Sequence, residues 1–309
     1  MMSVTTSAPG SLMLFEEHSV LRGGPAITLA LAKRVFVTLE PREDHLIRLE
    51  TPVAQLEVPL DAIQVQPPLA YVLQTWKASK PAIGLYIAIK SDLSPTMGLG
   101  TSAAVVVAIF GALGVLEKRE MSSEQVFGKA LGIVRQVQGM GSGADIMASL
   151  NGGVGFYQEG CYKNLEAPEL LGRKVALFAT YSGVKTPTPE VVRRVEQVFM
   201  PYPELLSALD KANDTLTSLA LKHLGQAASL GELLNISSGW MGSLQVHTQK
   251  LSQWLWDLRS QSYGVKLSGS GLGDCAVDVV KNGHYPSGSF PIHITPEGLI
   301  LDENLGKRM

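Results

Sequence analysis

Three glycine-rich stretches hold the residues whose types and spacing suit chemistry. The first is SPTMGLGTSAAVVVA, residues 94–108. Gly98 and Gly100 can adopt positive φ, bringing the backbone around Leu99 close to a ligand with no Cβ in the way. Thr101, Ser102, Ala103 and Ala104 keep the start of the following helix uncrowded. The free N–H groups and positive dipole end there suit a phosphate, and the Ser102 hydroxyl can ligate the magnesium that travels with a nucleotide. No Gly-Lys-Ser/Thr run makes this a Walker A loop. The second stretch, QGMGSGADIMASLNGG, residues 138–153, carries one acid, Asp145, behind Gly141, Ser142, Gly143 and Ala144. A carboxylate in a tight glycine turn cannot swing away, which suits a base aimed at a substrate hydroxyl. The third, KLSGSGLGDCAVDVV, residues 266–280, is a turn with Gly269, Ser270, Gly271 and Gly273 ahead of an apolar strand. Taken singly, each also fits ordinary structure: a capped core helix, an aspartate capping a helix from Ile146, and a hairpin.

The elements that must position these stretches change character along the chain. Residues 12–15, 34–40, 45–50, 54–58 and 84–90 carry β-branched or alternating apolar residues, separated by turn signals such as Pro41–Asp44 and Pro67–Pro68. An apolar helix is predicted to open near Thr101. An amphipathic one follows from Ser122 to about Gln138, with Ser122 and Ser123 supplying its cap. Strand-like VGFYQ leads into polar, loop-like residues 159–173. The pattern restarts at Lys174 with a strand, helices around 188–199, 203–222, 226–237 and 243–260, and strands near 275–280 and 289–295. Trp240, Trp254 and Trp256 fall in helical segments as packing anchors. This predicts an α+β protein of two domains, residues 1–168 and 169–309, with mixed or antiparallel sheets.

Composition excludes several classes. The chain has 309 residues, 45% hydrophobic and 17% charged, far too apolar for a disordered protein. Its net charge of −2 argues against a nucleic-acid partner. Cys161 and Cys275 form neither a disulfide framework nor a CxxC metal pattern. The most apolar run, Ala103–Leu116, would rise about 21 Å as a helix, short of the roughly 30 Å of a bilayer's hydrocarbon. With no signal-peptide pattern at residues 1–10, neither a membrane association nor export is expected, and cytoplasmic residence follows by elimination.

In this order and at these spacings, the motifs resemble those of the GHMP kinases, named for galactokinase, homoserine kinase, mevalonate kinase and phosphomevalonate kinase. SAPGSLMLFEEHSVLRGGPAI, residues 7–27, is similar to the family's opening APGKxxLxGEHxVxxGxPAI. SPTMGLGTSAA is similar to its PxxxGLGSSAA, and KLSGSGLGDCA to its KxxGAGxGGC. The likeness spans about residues 7–280. It implies a ribosomal S5 domain 2-like N-terminal domain and a ferredoxin-like C-terminal domain, with ATP between them. ATP phosphates would meet Gly98–Ala104, with Ser102 near Mg2+. Asp145 would take the proton of the acceptor hydroxyl. Glu17, His18, Ser142 and Lys185 would face the substrate, supported by Gly269, Ser270 and Gly271. Within the family, EHSVLRGGPAI is most like the mevalonate kinases, whereas VQGMGSGAD, GSGLGDC and VKTPTPEVV look more like phosphomevalonate kinases. The resemblance therefore implies a kinase acting on mevalonate. A phosphomevalonate or other small-molecule kinase, and a catalytically silent nucleotide-binding relative, stay open as alternatives. A phosphate-bearing acceptor would want extra cations, for which Arg22, Lys90, Lys185, Arg193 and Arg194 are candidates. Family members commonly dimerise, so a homodimer is expected.

Three residues depart from the family pattern. Ser11 stands where the lysine after APG is usual, so Asp145 and the transferring phosphate lack that cation; Lys185 or Arg22 is a candidate to take its place. Val134 stands where mevalonate kinases carry a magnesium-binding glutamate, with Glu124, Gln136 and Gln138 as nearby oxygen donors out of register. Glu16 replaces the glycine of GEH, which is expected to add negative charge beside the phosphate site.

Overall fold

The computed structural model describes residues 3–119, 121–165, 175–281 and 286–302. The chain opens with β1 (Val4–Phe15) and β2 (Ala26–Arg42), then β3 (Leu46–Glu50), β4 (Gln55–Pro59), α1 (Ala70–Ser79) and β5 (Gly84–Ser91). Three helices follow, α2 (Thr101–Leu116), α3 (Ser123–Gln138) and α4 (Ala144–Asn151), and then β6 (Val154–Gln158) and β7 (Cys161–Leu165). The second half runs β8 (Leu177–Tyr181), α5 (Thr188–Phe199), α6 (Pro203–His223), α7 (Ala227–Ser243), α8 (Gln249–Arg259), β9 (Ser262–Ser268), β10 (Cys275–Val280), β11 (Ser289–Pro291) and β12 (Ile300–Asp302). This is an α+β fold of two sheets. The first has the order β12-β1-β2-β5-β3-β4, with β6 on β2 and β7 on β6; the second has the order β11-β8-β10-β9. The chain's end returns to the first sheet, where β12 pairs with β1. The expected boundary between residues 168 and 169 lies outside the described residues.

Helix α2 shows how sequence places the site. Its residues from Ala103 to Leu113 are all buried, because α1, α3 and α4 close around it against β1 and β2. Fully burying each Val, Ile or Phe side chain there is worth about 1.5–3 kcal/mol, so the helix is fixed along its length. Its N-terminus, preceded by Gly100 at φ +66°, is thereby held beside Ser11 of β1. Helix α3 begins with a capping box in which Ser122 and Gln125 bond each other's backbone N–H, and ends on Gly139 at φ +79°. Strand β1 carries an irregularity between Pro9 and Ser11 in its pairing with β2. The extra residues are on β2, which runs from Arg34 to Ala30 while β1 runs from Pro9 to Ser11.

Several expectations change. Within residues 159–173, Cys161–Leu165 form β7 rather than loop, because they pair with Val154–Gln158 across a tight turn at Glu159–Gly160; residues 166–173 lie outside the described part. Helix α1 was masked in the sequence by the prolines before it, and its Trp76 is fully buried. Trp240 is buried as an anchor, but Trp256 is 66% exposed. Helix α8 starts only at Gln249, where the Thr248 hydroxyl accepts from Leu251 N–H. Among the described residues, no helix is long and apolar enough to cross a membrane.

Candidate active site

The three glycine stretches meet in one cleft of about 510 Å³. Its wall includes the starts of α2 and α4 together with the turn between β9 and β10. Gly98, Leu99, Gly100, Thr101, Ser102 and Ala103 line it, whereas Ala104 is fully buried one residue inside the helix. Neither helix has a side-chain cap, as Gly100 and Gly143 precede them at φ +66° and +96°. Both therefore present first-turn N–H groups and the positive end of a helix dipole to the same cavity.

Asp145 sits in the first turn of α4 and lines the cleft. It does not cap that helix. Instead, its Oδ1 accepts a hydrogen bond of 2.8 Å from the Ser11 hydroxyl. Burial raises the Asp145 pKa, while the Ser11 hydrogen bond and the charge of Lys185 oppose that rise. Ser11 N–H donates to Leu99 O at 3.1 Å, which ties the aspartate's partner to the glycine loop. A Cβ on Gly100 would collide with the Ser11 hydroxyl and lie 2.7 Å from its backbone nitrogen, so this position admits only glycine. Ser142 also lines the cleft, and its carbonyl accepts from the Tyr157 hydroxyl.

Residues 16–18 are arranged differently from expectation. Glu16 does not line the cleft. It adopts φ +79°, the backbone conformation for which glycine is suited, and its carboxyl is completely buried. There it accepts from Ser19 N–H at 3.0 Å and from the Asn213 amide at 2.6 Å. Burial pushes its pKa up to about 8, so at neutral pH it is largely uncharged. The expected negative charge beside the phosphate site is therefore absent, because the side chain turns away to α6. Glu17 does line the cleft, paired with the buried Lys266 on β9. Its second oxygen, Oε2, is buried without a partner, as are the hydroxyls of Ser270 and Thr101 on the same cleft. His18 lies behind the wall rather than on it. Its Nε2 bonds the Ser270 carbonyl at 2.7 Å, and burial holds its pKa near 4, so the ring is neutral.

In the third stretch, Gly269 and Ser270 line the cleft and Gly271 does not. Gly271 adopts φ +102°, and a Cβ there would lie 2.6 Å from Val246. Lys185, from the segment after β8, lines the cleft and donates to Asp274 at 2.7 Å. Arg22 is engaged elsewhere, in a bidentate pair with Asp210 of α6 at 2.6 and 2.7 Å. Arg22, Lys90, Arg193 and Arg194 are not among the lining residues. Of the oxygen donors near Val134, Gln138 reaches the cleft and is held by the Tyr71 hydroxyl, whereas Gln136 bonds Gln74 and Glu124 is exposed. Lys266 and Asp274 were not singled out from sequence. The available signal was an acid and a lysine at the two ends of one glycine-rich turn.

A glycine-rich loop opening a buried helix, an aspartate on the same cleft and a glycine turn from the second sheet are the parts of a small-molecule phosphotransferase with a hydroxyl acceptor, the class to which comparisons with known proteins also point. Residues 70–153 match the family model for the GHMP kinases N terminal domain. The chain is 32% identical to a mevalonate kinase of Pyrococcus furiosus, over 98% of this chain and 99% of that one. The chain belongs to the GHMP kinase family. Another relative is the mevalonate kinase of Pyrococcus abyssi, 31% identical over 88% of this chain and 87% of the other. The fold is shared with the crystal structure of the Methanococcus jannaschii mevalonate kinase (TM-score 0.76, 22% identity, 90% of each chain).

Proposed function

We propose that this protein transfers the γ-phosphate of ATP to a hydroxyl of mevalonate. The observation that carries this reading is the Asp145 carboxylate, hydrogen-bonded by Ser11 and facing the glycine loop across one cleft. Asp145 would accept the proton of the acceptor hydroxyl as that oxygen forms its bond to the γ-phosphorus. The bond from phosphorus to the β–γ bridging oxygen breaks, and its electron pair leaves with ADP. Phosphoryl transfer asks mainly for positioning and charge stabilisation, which the N–H groups of Gly98–Ala103 and the two helix ends supply. A second hollow of about 120 Å³, lined by apolar residues such as Val53, Leu69, Val72 and Val105, adjoins Thr101 and Ser102 and suits the purine.

Magnesium fits this site. Nucleotide-borne magnesium needs few protein oxygens beyond phosphates and water, and Ser102 lines the cleft. Ser102 would hold it, and the ion would neutralise charge on the phosphates. Val134 contributes only an apolar wall. The N-terminal part to residue 168 would carry the nucleotide and the remainder the Lys185 and glycine-turn contacts.

Mevalonate suits the cleft better than its phosphorylated form. Of the five candidate cations, Lys185 alone lines the cleft, and Val20, Leu21, Val134, Val137 and Met140 give it an apolar side. Two further phosphate charges would find no second lysine or arginine among the described lining residues. The relatives named as mevalonate kinases support the same acceptor. ADP release measured with mevalonate, phosphomevalonate, galactose and homoserine tests the assignment. Turnover with mevalonate is expected; turnover with only one of the others, or tight ATP binding with no turnover on any, would refute it.

A further inference from the structure

The charge inventory of the cleft is uneven. Its described lining residues include three carboxylates, Glu17, Asp145 and Asp274, and a single lysine or arginine, Lys185. Glu17 is already matched by Lys266. A triphosphate entering this space meets one side-chain cation.

That cation is held with care. Asp274 is 2% exposed and follows Leu272 and Gly273 in a turn where it takes φ +64°, unusual for a residue with a side chain. Its carboxylate is wedged between two glycines: a Cβ on Gly98 would lie 2.6 Å from Oδ1, and one on Gly269 would lie 2.6 Å from Oδ2. Oδ1 is the atom that accepts from Lys185. The backbone around the lysine is fixed as well. Asp274 N–H donates to Val184 O at 2.8 Å, and the Thr186 hydroxyl donates to Leu272 O at 2.9 Å. Lys185 is therefore held through the backbone on both sides of it and through its ammonium group, against an Asp274 carboxylate that itself packs on Gly98, in the loop that opens α2. A lysine has three N–H donors, and the bond to Asp274 uses one.

We propose that Lys185, held by Asp274 against the glycine loop, is the cation that meets the transferring phosphoryl group. Asp274 is a positioning residue. This rests on the kinase reading above and adds which group offsets the phosphoryl charge at a site where Ser11 supplies none. It also decides between two roles for the lysine, since anchoring against Gly98 puts it at the phosphate end rather than at an acceptor's carboxylate.

The test compares Lys185→Met, Lys185→Arg and Asp274→Asn with the parent enzyme. Lys185 is partly exposed and asparagine tolerates positive φ, so all three should fold. Lys185→Met is expected to lower kcat about 100-fold or more, as loss of one transition-state donor does, with the mevalonate KM nearly unchanged. Lys185→Arg should recover part of the rate, and Asp274→Asn should lower kcat with unchanged KM. A binding measurement is independent of the acceptor: Lys185→Met should cut the preference for a non-hydrolysable ATP analogue over ADP by about tenfold. An unchanged preference overturns the proposal, and so does a mevalonate KM that rises at unchanged kcat, which would make Lys185 the carboxylate anchor. A parent enzyme inactive on mevalonate whose ATP preference still depends on Lys185 would sink the assigned acceptor and leave this proposal supported.

Discussion

Glu16 offers a prediction whose size can be worked from its surroundings. Its carboxyl is fully buried between Ser19 and Asn213 of α6, and burial lifts its pKa from 4.5 to about 8. The unfolded chain gives up this proton near pH 4.5, whereas the folded chain keeps it until about pH 8. The unfolded state therefore gains stability relative to the folded one at each step of pH through that window. At 1.36 kcal/mol per unit, the folded protein loses up to about 5 kcal/mol between the two ends. Glu16→Gln removes the titration while keeping the shape. A glutamine oxygen still accepts from Ser19 N–H, and the Asn213 carbonyl, which is buried without a partner, can turn to accept from its amide. Denaturant unfolding of both proteins at pH 4, 7 and 9 gives the comparison. The variant should match the parent at the lowest pH and exceed it by several kcal/mol at pH 9, within that ceiling of about 5 kcal/mol. Parallel stability curves for the two proteins would refute the argument.

Two further outcomes follow from the contacts around Ser11. Gly100→Ala forces a Cβ onto the Ser11 hydroxyl in a left-handed conformation costing about 1–2 kcal/mol by itself; a melting temperature and turnover equal to the parent's would contradict it. Ser11→Ala removes a hydrogen bond that lowers the Asp145 pKa. With that bond gone burial is opposed only by the charge of Lys185, so the acidic limb of the kcat profile should move to higher pH. A rate measured across pH 5–9 would show it, and an unmoved limb would exclude Asp145 as the titrating base.

Much of this site was legible in the sequence because glycine motifs are local. Gly98 and Gly100 need positive φ within a few residues of the helix they open, and Ala103 onward is apolar enough to mark that helix as core. Asp145 stood out as one acid in a glycine turn. What sequence could not give were the contacts made across the chain. That Glu16 turns to Asn213, and that Asp274 meets Lys185, depends on packing between segments 197 and 89 residues apart. The same holds for His18, which the motif places beside Glu17 but which the fold puts behind Ser270. Strand β7 was hidden because its polar residues pair at an edge, where burial writes no alternating pattern.

The account turns on a carboxylate that takes the acceptor's proton, and Asp145→Asn isolates it. The substitution keeps the side chain's shape and its bond from Ser11 but removes the charge. Single-turnover transfer from ATP to mevalonate, with nucleotide affinity measured in parallel, is the direct test. Transfer should slow by about 10²–10⁴-fold, the usual contribution of a general base, while ATP binds as before. Transfer at the parent's rate would contradict the assignment of Asp145 as the base.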